Sequence, residues 1–446
     1  MNRDLTRGPV MKSMLLFAIP MILGDLLQQC YNIADTLIVG QFLGRNALAA
    51  VGSAFTLMTF LTSIILGLCM GSGALFSMRF GQRDEKALCE NLCASFFFIA
   101  FVTALLNVLT FICLDGLRTF LRVPAEVWGD MREYLFVIFM GIPAVFLYNY
   151  FASFLRAIGN SVIPLGFLAV SAVLNIALDL WFVIGLRRGV AGAAEATVIA
   201  QYVSGVGIAV FTLARFPQVR SIWKAHCLRR ERIREIVSFS TLTCVQQSVM
   251  NLGILMVQGL VNSFGPVVMA AFAAASRIDD FAYTPQQNIA HAMTTLMAQN
   301  RGAGKKDRVK EGFRCGIRIE LVYAAGLTVV CFFGAEGIMR MFAEEPEVIE
   351  LGARFLRLIS LMYFLPALTN GIQGFFRGIG DLKITLRSSM LSMAARVPSA
   401  ALLVLYFHME IEALPWSYAF GWFLMLAYEV PPMLRFLRSG TMEGNE

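Results

Sequence analysis

The sequence predicts an all-α polytopic membrane protein with twelve transmembrane helices in two six-helix lobes related by a parallel repeat. Of its 446 residues, 57% are hydrophobic and only 15% are charged, whereas soluble chains carry about 25% charged residues. Twelve apolar runs are each long enough to cross a bilayer. The two halves of the chain also repeat a common pattern. Together these observations exclude an ordinary soluble protein.

The predicted spans are apolar stretches bounded by charges or by Pro and Gly. They lie near 14–41, 50–78, 91–114, 130–154, 161–185, 190–214, 233–263, 267–298, 314–335, 348–375, 384–407 and 413–437. In lipid, backbone polar groups are satisfied only in helices or closed barrels. These runs lack the strict alternation of barrel strands, so the spans are expected to be helices.

Lys and Arg collect in alternate connections between the predicted spans. Residues 79–86, 220–234 and 301–310 are basic, whereas residues 344–350 are acidic. Because positively charged connections stay on the cytoplasmic side, the pattern predicts that both termini are cytoplasmic. The basic residues lie in short clusters rather than in one patch, so the net charge of +7 does not predict a nucleic acid partner.

An internal repeat divides the chain. Ser153-Phe-Leu-Arg-Ala-Ile-Gly-Asn160 recurs as Gly374-Phe-Phe-Arg-Gly-Ile-Gly-Asp381. The spacing between Ser153 and Gly374 is the offset of the repeat, and it relates the other equivalent positions of the two halves. We therefore predict an N-terminal lobe at 1–215 with helices 1–6, a cytoplasmic basic linker at 216–233, and a C-terminal lobe at 234–446 with helices 7–12. Two six-helix lobes that both begin in the cytoplasm form a parallel repeat, whose central cavity is the usual place for a transported substrate.

Motifs for other chemistries are absent from the sequence. Gly302-Ala-Gly-Lys-Lys-Asp307 lacks the first glycine of a phosphate-binding loop, and neither a nucleophile elbow nor a His-Glu-x-x-His pair occurs. Cys89 and Cys93 lie one helical turn apart with no nearby His, which favours packing over metal binding. The sequence therefore predicts neither an enzyme nor a resident cofactor.

Ionisable side chains inside apolar helices are functional candidates by default. Asp35 and Asp179 each lie about six residues below the outer end of a predicted span, about 9 Å deep at 1.5 Å per residue. Asn175 lies one turn from Asp179, and Thr197 on the next span lies at nearly the same depth. Three helices thus bring two carboxylates, an amide and a hydroxyl to one level.

Such an oxygen-rich cluster suits a hard cation such as Na⁺, or a carboxylic acid that binds and releases a proton. Either chemistry would make Asp35, Asn175, Asp179 and Thr197 a cation-coupling site. The structural alternative is that Asp35 only bonds to a local amide or backbone group and that Asp179 caps a helix end.

A polar stripe follows the first predicted helix. Gln28, Tyr31, Asn32 and Asp35 have the i, i+3, i+4, i+7 spacing of one helix face, so we expect this stripe to face the cavity or the site. Pro20 removes a backbone hydrogen bond, and it is either a flexible point or a static bend.

The second lobe does not repeat these acids. At the offset of the repeat, the counterparts of Asn175, Asp179 and Asp35 are Arg396, Ala400 and Met256. The coupling chemistry is therefore expected to be asymmetric between the lobes.

Two further features concern helix packing and charge pairing. Asp279 and Asp280 lie near Arg277, and either an Arg277/Asp280 ion pair or a cavity role explains them. Gly67 and Gly71, at four-residue spacing, suggest that another helix approaches closely.

Two motifs resemble a known family. The first comprises Pro20, Tyr31, Asp35-Thr-Leu-Ile-Val-Gly40, Leu43-Gly44, Ala49-Ala50 and Gly52, and the second is Gln299-Asn-Arg-Gly-Ala-Gly-Lys-Lys-Asp-Arg308. Over nearly its whole length the chain resembles the multidrug and toxic compound extrusion (MATE) family, in its prokaryotic DinF-like and NorM-like types. The resemblance implies the MATE/MOP-type fold, with two lobes around a V-shaped cavity. It also implies export of cationic or amphiphilic compounds in exchange for Na⁺ or H⁺.

The resemblance also implies roles for individual residues. In DinF-like members the first-lobe cation site uses an Asp of helix 1, an Asn and an Asp of helix 5 and a Thr of helix 6. The matching residues here are Asp35, Asn175, Asp179 and Thr197. Pro20 and Tyr31 match residues linked to bending of helix 1, and Tyr134 matches a tyrosine of helix 4.

We therefore expect a monomeric, alternating-access antiporter in a prokaryotic plasma membrane, with small organic cations and membrane lipids as its partners. The alternative transporter is a lipid-linked oligosaccharide flippase of the same superfamily, which should have a more cationic cavity and often extra spans. A membrane enzyme or a receptor would need a catalytic constellation or a folded soluble domain. The connections between the predicted spans are too short for such a domain.

Overall fold

The computed structural model describes residues 4–116, 125–220, 229–261 and 264–439. The described chain is helical. Its helices are α1 (Val10–Leu43), α2 (Arg45–Gln82), α3 (Glu85–Ile112), α4 (Ala125–Phe139), α5 (Ile142–Ala157), α6 (Val162–Asp179), α7 (Gly189–Arg215), α8 (Arg230–Val261), α9 (Pro266–Gly302), α10 (Lys306–Met339), α11 (Pro346–Ser360), α12 (Phe364–Ile379), α13 (Leu382–Leu405) and α14 (Ala413–Ser439). A π-helical turn, Leu180–Gly185, continues α6, and a short helix, Pro217–Arg220, follows α7.

These helices account for the twelve predicted spans, because α4 with α5 and α11 with α12 each form one interrupted span. Among the described residues, seven helices are long and apolar enough to cross a membrane, and the α4–α5 pair, bent by 45°, adds an eighth. The helices of the second half are more polar; α9, for example, includes Arg277, Asp279 and Asp280. The predicted all-α, twelve-span fold class is confirmed.

The sequence repeat is also a repeat of backbone geometry. Gly44 and Gly265, which correspond at the offset of the repeat, precede α2 and α9 with φ of 86° and 94°. Gly159 and Gly380, which correspond in the same way, have φ of 83° and 78°. Left-handed φ angles favour glycine because it has no Cβ. The same turn geometry therefore recurs at equivalent positions of the two halves.

The interrupted spans are stabilised at equivalent positions too. A helix break frees backbone carbonyls, which need a partner inside a membrane. Asn107 donates a hydrogen bond to the Phe139 carbonyl at the end of α4 (2.6 Å), and Thr328 donates one to the Ser360 carbonyl at the end of α11 (2.7 Å). Polar side chains in α3 and α10 thus compensate for the two breaks.

The chain divides into two compact units. Unit 1 consists of residues 1–4 and 19–244, and unit 2 of residues 5–18 and 245–446. These units differ from the predicted lobes in two segments: residues 5–18 belong with the second half, and residues 234–244 belong with the first. The division falls within α1 and α8. The middle of the predicted linker, residues 221–228, lies outside the described residues.

Each unit has its own aromatic core. In unit 1, Tyr150 of α5 is fully buried, packs edge-on against Phe76 and Phe96, and donates a hydrogen bond to the Leu92 carbonyl (2.6 Å). In unit 2, Phe272 of α9 packs edge-on against Phe355 of α11. These contacts join helices that are distant in sequence.

The two glycines of α2 allow a close helix approach, as predicted. A Cβ at Gly71 would lie 2.5 Å from the Phe239 carbonyl oxygen, and a Cβ at Gly67 would lie 2.7 Å from the Cys244 Cα. Both partners belong to the part of α8 that lies in unit 1. Glycine at these two positions therefore permits backbone contact between α2 and α8.

The segment before α1 is held by the end of α9 and the start of α10, within unit 2. The Leu5 amide donates to Gln299 Oε1 (3.1 Å), and Asn300 Nδ2 donates to the Leu5 carbonyl (3.2 Å). Arg308 donates to the carbonyls of Leu5 (3.2 Å) and Gly8 (2.9 Å). The Gln299–Arg308 motif thus fixes the start of α1.

Replacing Arg308 with Gln is expected to loosen residues 4–9. Hydrogen bonds to charged groups contribute about 1.5–3 kcal/mol, so amide hydrogen exchange in this segment should accelerate about tenfold or more. Lys306→Gln, which changes an exposed residue of the first turn of α10, is the matched control and should leave the exchange rate unchanged. Equal exchange in both variants would contradict the anchoring role of Arg308.

Candidate functional site

The predicted acids of α1 and α6 meet within unit 1. The side chains of Asp35 and Asp179 lie within hydrogen-bond reach of each other. Asp179 is fully buried, and Asp35 is half-buried. Two carboxyl groups so close together need a proton or a cation between them, because two negative charges repel strongly in a medium of low dielectric constant.

Asp179 lies where the geometry of its helix changes. It is the last residue of α6, and the π-helical turn Leu180–Gly185 follows without interruption. Because the helix continues for six more residues, Asp179 does not cap a helix end. Single π-helical turns are rare, and they frequently occur at functional sites.

The Asn175 amide and the Thr197 hydroxyl belong to two helices that pack together, α6 and α7. Asn175, one turn before Asp179 on α6, donates a hydrogen bond from Nδ2 to Thr197 Oγ1 on α7 (3.2 Å). Further along the same two helices, Ser171 Oγ donates to the Ala200 carbonyl (2.9 Å). These bonds join α6 to α7 and leave Asn175 Oδ1 without a hydrogen-bond donor among the described residues.

Two tyrosines border the acidic pair. Tyr134 of α4 is buried and interacts electrostatically with Asp35, Asp179 and Tyr31. Tyr31 forms a side-chain hydrogen bond with Gln28, one turn earlier on α1. Periodicity did not indicate Tyr134, since it lies on a different span; only the family resemblance did.

Several oxygen atoms of the cluster have no hydrogen-bond donor among the described residues. They are Asp35 Oδ1, Asn175 Oδ1 and both carboxylate oxygens of Asp179. Burying such atoms uncompensated is costly, and oxygen ligands are those that hard cations prefer. In the described part of the chain no three His, Cys, Asp or Glu side chains form a metal cluster.

Asn32 and Pro20 are the two remaining predicted residues of α1. Asn32 is half-buried, and its carbonyl accepts a hydrogen bond from Thr36 (2.8 Å). Pro20 lies about 22 Å from Asp35 along the helix, at 1.5 Å per residue. The structure therefore separates Pro20 from the acids.

Unit 2 has its own buried polar groups. Tyr363 donates a hydrogen bond to Asp279 (2.9 Å), and Asp280 interacts electrostatically with Arg277. Sequence reasoning missed Glu320 and Glu429, which are both fully buried. A search for every acid at mid-span would have found both.

A family model described as MatE matches residues 20–181 and 243–402 of the chain. The "Probable multidrug resistance protein YpnP" of Bacillus subtilis is 28% identical over 412 residues, which cover 90% of this chain and 89% of the relative. A relative from Shewanella oneidensis named as an FAD transporter is 23% identical over 424 residues, with 90% of each chain covered.

A solved structure has the same fold. It is the outward-facing conformation of a multidrug resistance MATE family transporter of the MOP superfamily. The likeness has a TM-score of 0.91 and 21% identity, and it covers 99% of this chain and 98% of the other. At this identity the likeness shows the fold alone.

Proposed function

Because the chain belongs to the MatE family, a family of multi-pass membrane transporters, we propose that it is a secondary active antiporter for organic compounds. It exports cationic or amphiphilic molecules in exchange for H⁺ or Na⁺ entering the cell. It works in a prokaryotic plasma membrane with both termini in the cytoplasm. One relative is named for FAD, an aromatic compound with phosphate groups, so compounds of this kind also belong to the proposed substrate range.

The contact between Asp35 and Asp179 is the observation that carries this proposal. Asp179 is buried and Asp35 is half-buried within unit 1, and four oxygen atoms of the cluster have no donor among the described residues. A proton shared by the two carboxyl groups would join one oxygen of Asp35 to one of Asp179, whereas a Na⁺ ion held with Asn175 and Thr197 would be coordinated by several of these oxygens. Binding and release of that ion is the proposed coupling step.

Coupling requires that the ion and the exported compound prefer different conformations, because a ligand shifts an equilibrium only by its differential affinity. Asp35 lies on α1, which belongs to unit 2 up to Ala18 and to unit 1 from Ile19. Pro20 stands next to this division and lacks the N–H that would bond to the Leu16 carbonyl. We place the rearrangement of α1 at Pro20, where the helix is weakest.

The test is dye efflux from proteoliposomes that contain the full chain. Ethidium, a planar organic cation, is loaded inside, and an inward-directed Na⁺ gradient or pH gradient is imposed separately. Efflux should accelerate under one of the two gradients, and that gradient identifies the ion. Protein-free liposomes give the leak rate under the same conditions.

Two outcomes would count against the proposal. If ethidium stays inside under both gradients, export of organic cations is refuted and the flippase alternative gains support. If ethidium leaves at the same rate with and without gradients, the protein is a passive pathway rather than an antiporter.

A further inference from the structure

Unit 2 contains a buried arginine in the middle of a helix. Arg396 of α13 is 8% exposed, and its guanidinium carbon lies 3.6 Å from the ring centroid of Tyr418 and 5.6 Å from that of Trp422 on α14. Guanidinium groups stack well on aromatic faces. The two rings therefore cover part of the cation but leave its hydrogen-bond donors to other groups.

Two nearby donors, one of them on the guanidinium, have no acceptor within the described residues. The Nε atom of Arg396 is buried without a hydrogen-bond partner there, and so is Nδ2 of Asn370. Asp279 interacts electrostatically with Arg396, but its carboxylate accepts the hydrogen bond of Tyr363 (2.9 Å). Tyr283, which also interacts electrostatically with Arg396, donates to Asn370 Oδ1 (3.0 Å).

The repeat gives this cluster a counterpart in unit 1. At the offset of the repeat, Arg396 corresponds to Asn175, and Tyr418 corresponds to Thr197. In unit 1 the pair is hydrogen-bonded beside two carboxyl groups; in unit 2 it is a stacked cation beside unmatched donors. Among the described residues, the same position thus has two carboxyl groups and unpartnered acceptors in unit 1, and a buried cation with unpartnered donors in unit 2, where Asp279 is the nearby acid.

A charged group inside a membrane protein is costly and marks a functional site by default. The planar fork of arginine fits carboxylate and phosphate groups through two parallel hydrogen bonds, and flat rings favour an aromatic ligand. We propose that Arg396, with Tyr418 and Trp422, binds an oxyanion, carboxylate or phosphate, that is attached to an aromatic compound.

The proposal rests on the proposed transport function and refines its substrate class. A transporter with this site accepts zwitterionic and anionic aromatic compounds in addition to simple cations. The oxyanion then contacts unit 2, while the coupling ion binds to Asp35 and Asp179 in unit 1.

Binding to the full chain in lipid nanodiscs tests the site without any ion gradient. Rhodamine 110, which has a free carboxylate, is compared with rhodamine 123, its methyl ester. Riboflavin 5′-phosphate is compared with riboflavin. Dissociation constants are measured for the wild type, Arg396→Gln, Arg396→Lys and Arg318→Gln; the last replaces an exposed arginine of α10 in the same unit.

We expect Arg396→Gln to raise the dissociation constant of at least one oxyanion probe about tenfold or more. The dissociation constant of its uncharged or esterified partner should rise less than twofold. The pair that responds tells whether carboxylate or phosphate is the ligand. Arg396→Lys keeps the charge but loses the planar fork, so it should show a smaller selective loss and serves if the Gln variant does not fold. Arg318→Gln should bind like the wild type.

The proposal is overturned if Arg396→Gln weakens the binding of both members of each pair equally, or weakens the binding of neither. It is also overturned if the wild type binds no oxyanion probe. Equal weakening would mean that Arg396 only stabilises the packing of α13 against α14. Rhodamine 123 lacks the oxyanion, so its binding reports on the proposed cation substrate independently. Failure of the oxyanion site therefore differs visibly from failure of the transport proposal.

Discussion

Asp179→Asn is expected to reduce gradient-driven dye efflux to the rate of protein-free liposomes, and Asp35→Asn is expected to do the same. An amide can neither take up a proton nor balance the charge of Na⁺, so each substitution removes the coupling step. The two carboxyl groups are in contact, and residues that share one function are not additive. The double variant should therefore be no worse than either single variant.

Asp115→Asn provides the matched control for this experiment. Asp115 pairs with Arg132 at 2.8 Å, and its side chain is 76% exposed. Exposed pairs of this kind contribute about 1 kcal/mol at most, so efflux should stay at the wild-type rate. Intact gradient-driven efflux in both Asp35→Asn and Asp179→Asn would show that the coupling ion binds elsewhere, with the buried acids of unit 2 as the next candidates.

Gly71→Ala is expected to give the second large effect, a loss of stability. The new Cβ would lie 2.5 Å from the Phe239 carbonyl oxygen, which is closer than van der Waals contact allows. Overpacking of this kind costs about 1–3 kcal/mol, and relief requires α2 and α8 to separate. The midpoint of thermal unfolding, measured in detergent by the loss of monodisperse protein, should fall clearly below that of the wild type.

Gly52→Ala is the control on the same helix. A Cβ at Gly52 has no neighbouring atom within 4 Å, and replacing a helical glycine with alanine is favourable by up to about 1 kcal/mol. Its unfolding midpoint should therefore equal or exceed that of the wild type. If Gly71→Ala unfolds at the same midpoint as Gly52→Ala, the close approach of α2 and α8 is wrong.

The sequence was sufficient for the span pattern and the repeat, since both depend on features that are local in the chain. Runs of apolar residues locate the spans, and turn residues such as Gly159 and Gly380 occupy equivalent positions in sequence and have similar φ angles in space. Gly67 and Gly71 indicated a close approach because small residues at one-turn spacing expose the backbone on one helix face.

The breaks in two spans were not predicted, because hydrophobicity averaged over a span does not register an interrupted backbone. At the break between α4 and α5 the Phe139 carbonyl accepts a hydrogen bond from Asn107, which belongs to a different helix, α3. The assignment of residues 5–18 to unit 2 was not predicted either, because the contacts of residues 5–8 with the Gln299–Arg308 motif join parts of the chain that are distant in sequence.

For the candidate site, the sequence supplied the depth of each residue but not the contacts. Asp35, Asp179 and Thr197 could be set at one level by counting residues from the span ends. The rotation of each helix decides which side chains meet, and counting does not provide it. The position of Tyr134 beside both acids and the π-helical turn after Asp179 therefore required the structure.

The contact between the two carboxyl groups also limits the electrical balance of transport. A site with two acids exchanges at most two monovalent ions in one cycle. If two ions enter for each monovalent organic cation that leaves, one net positive charge moves inward. A membrane potential of 100 mV then contributes about 2.3 kcal/mol. At 1.4 kcal/mol per tenfold change, this is about fiftyfold in the accumulation ratio of the organic cation. If one enters, the exchange is electroneutral and the voltage contributes nothing. The number of ions held by this pair thus decides whether membrane voltage can drive export.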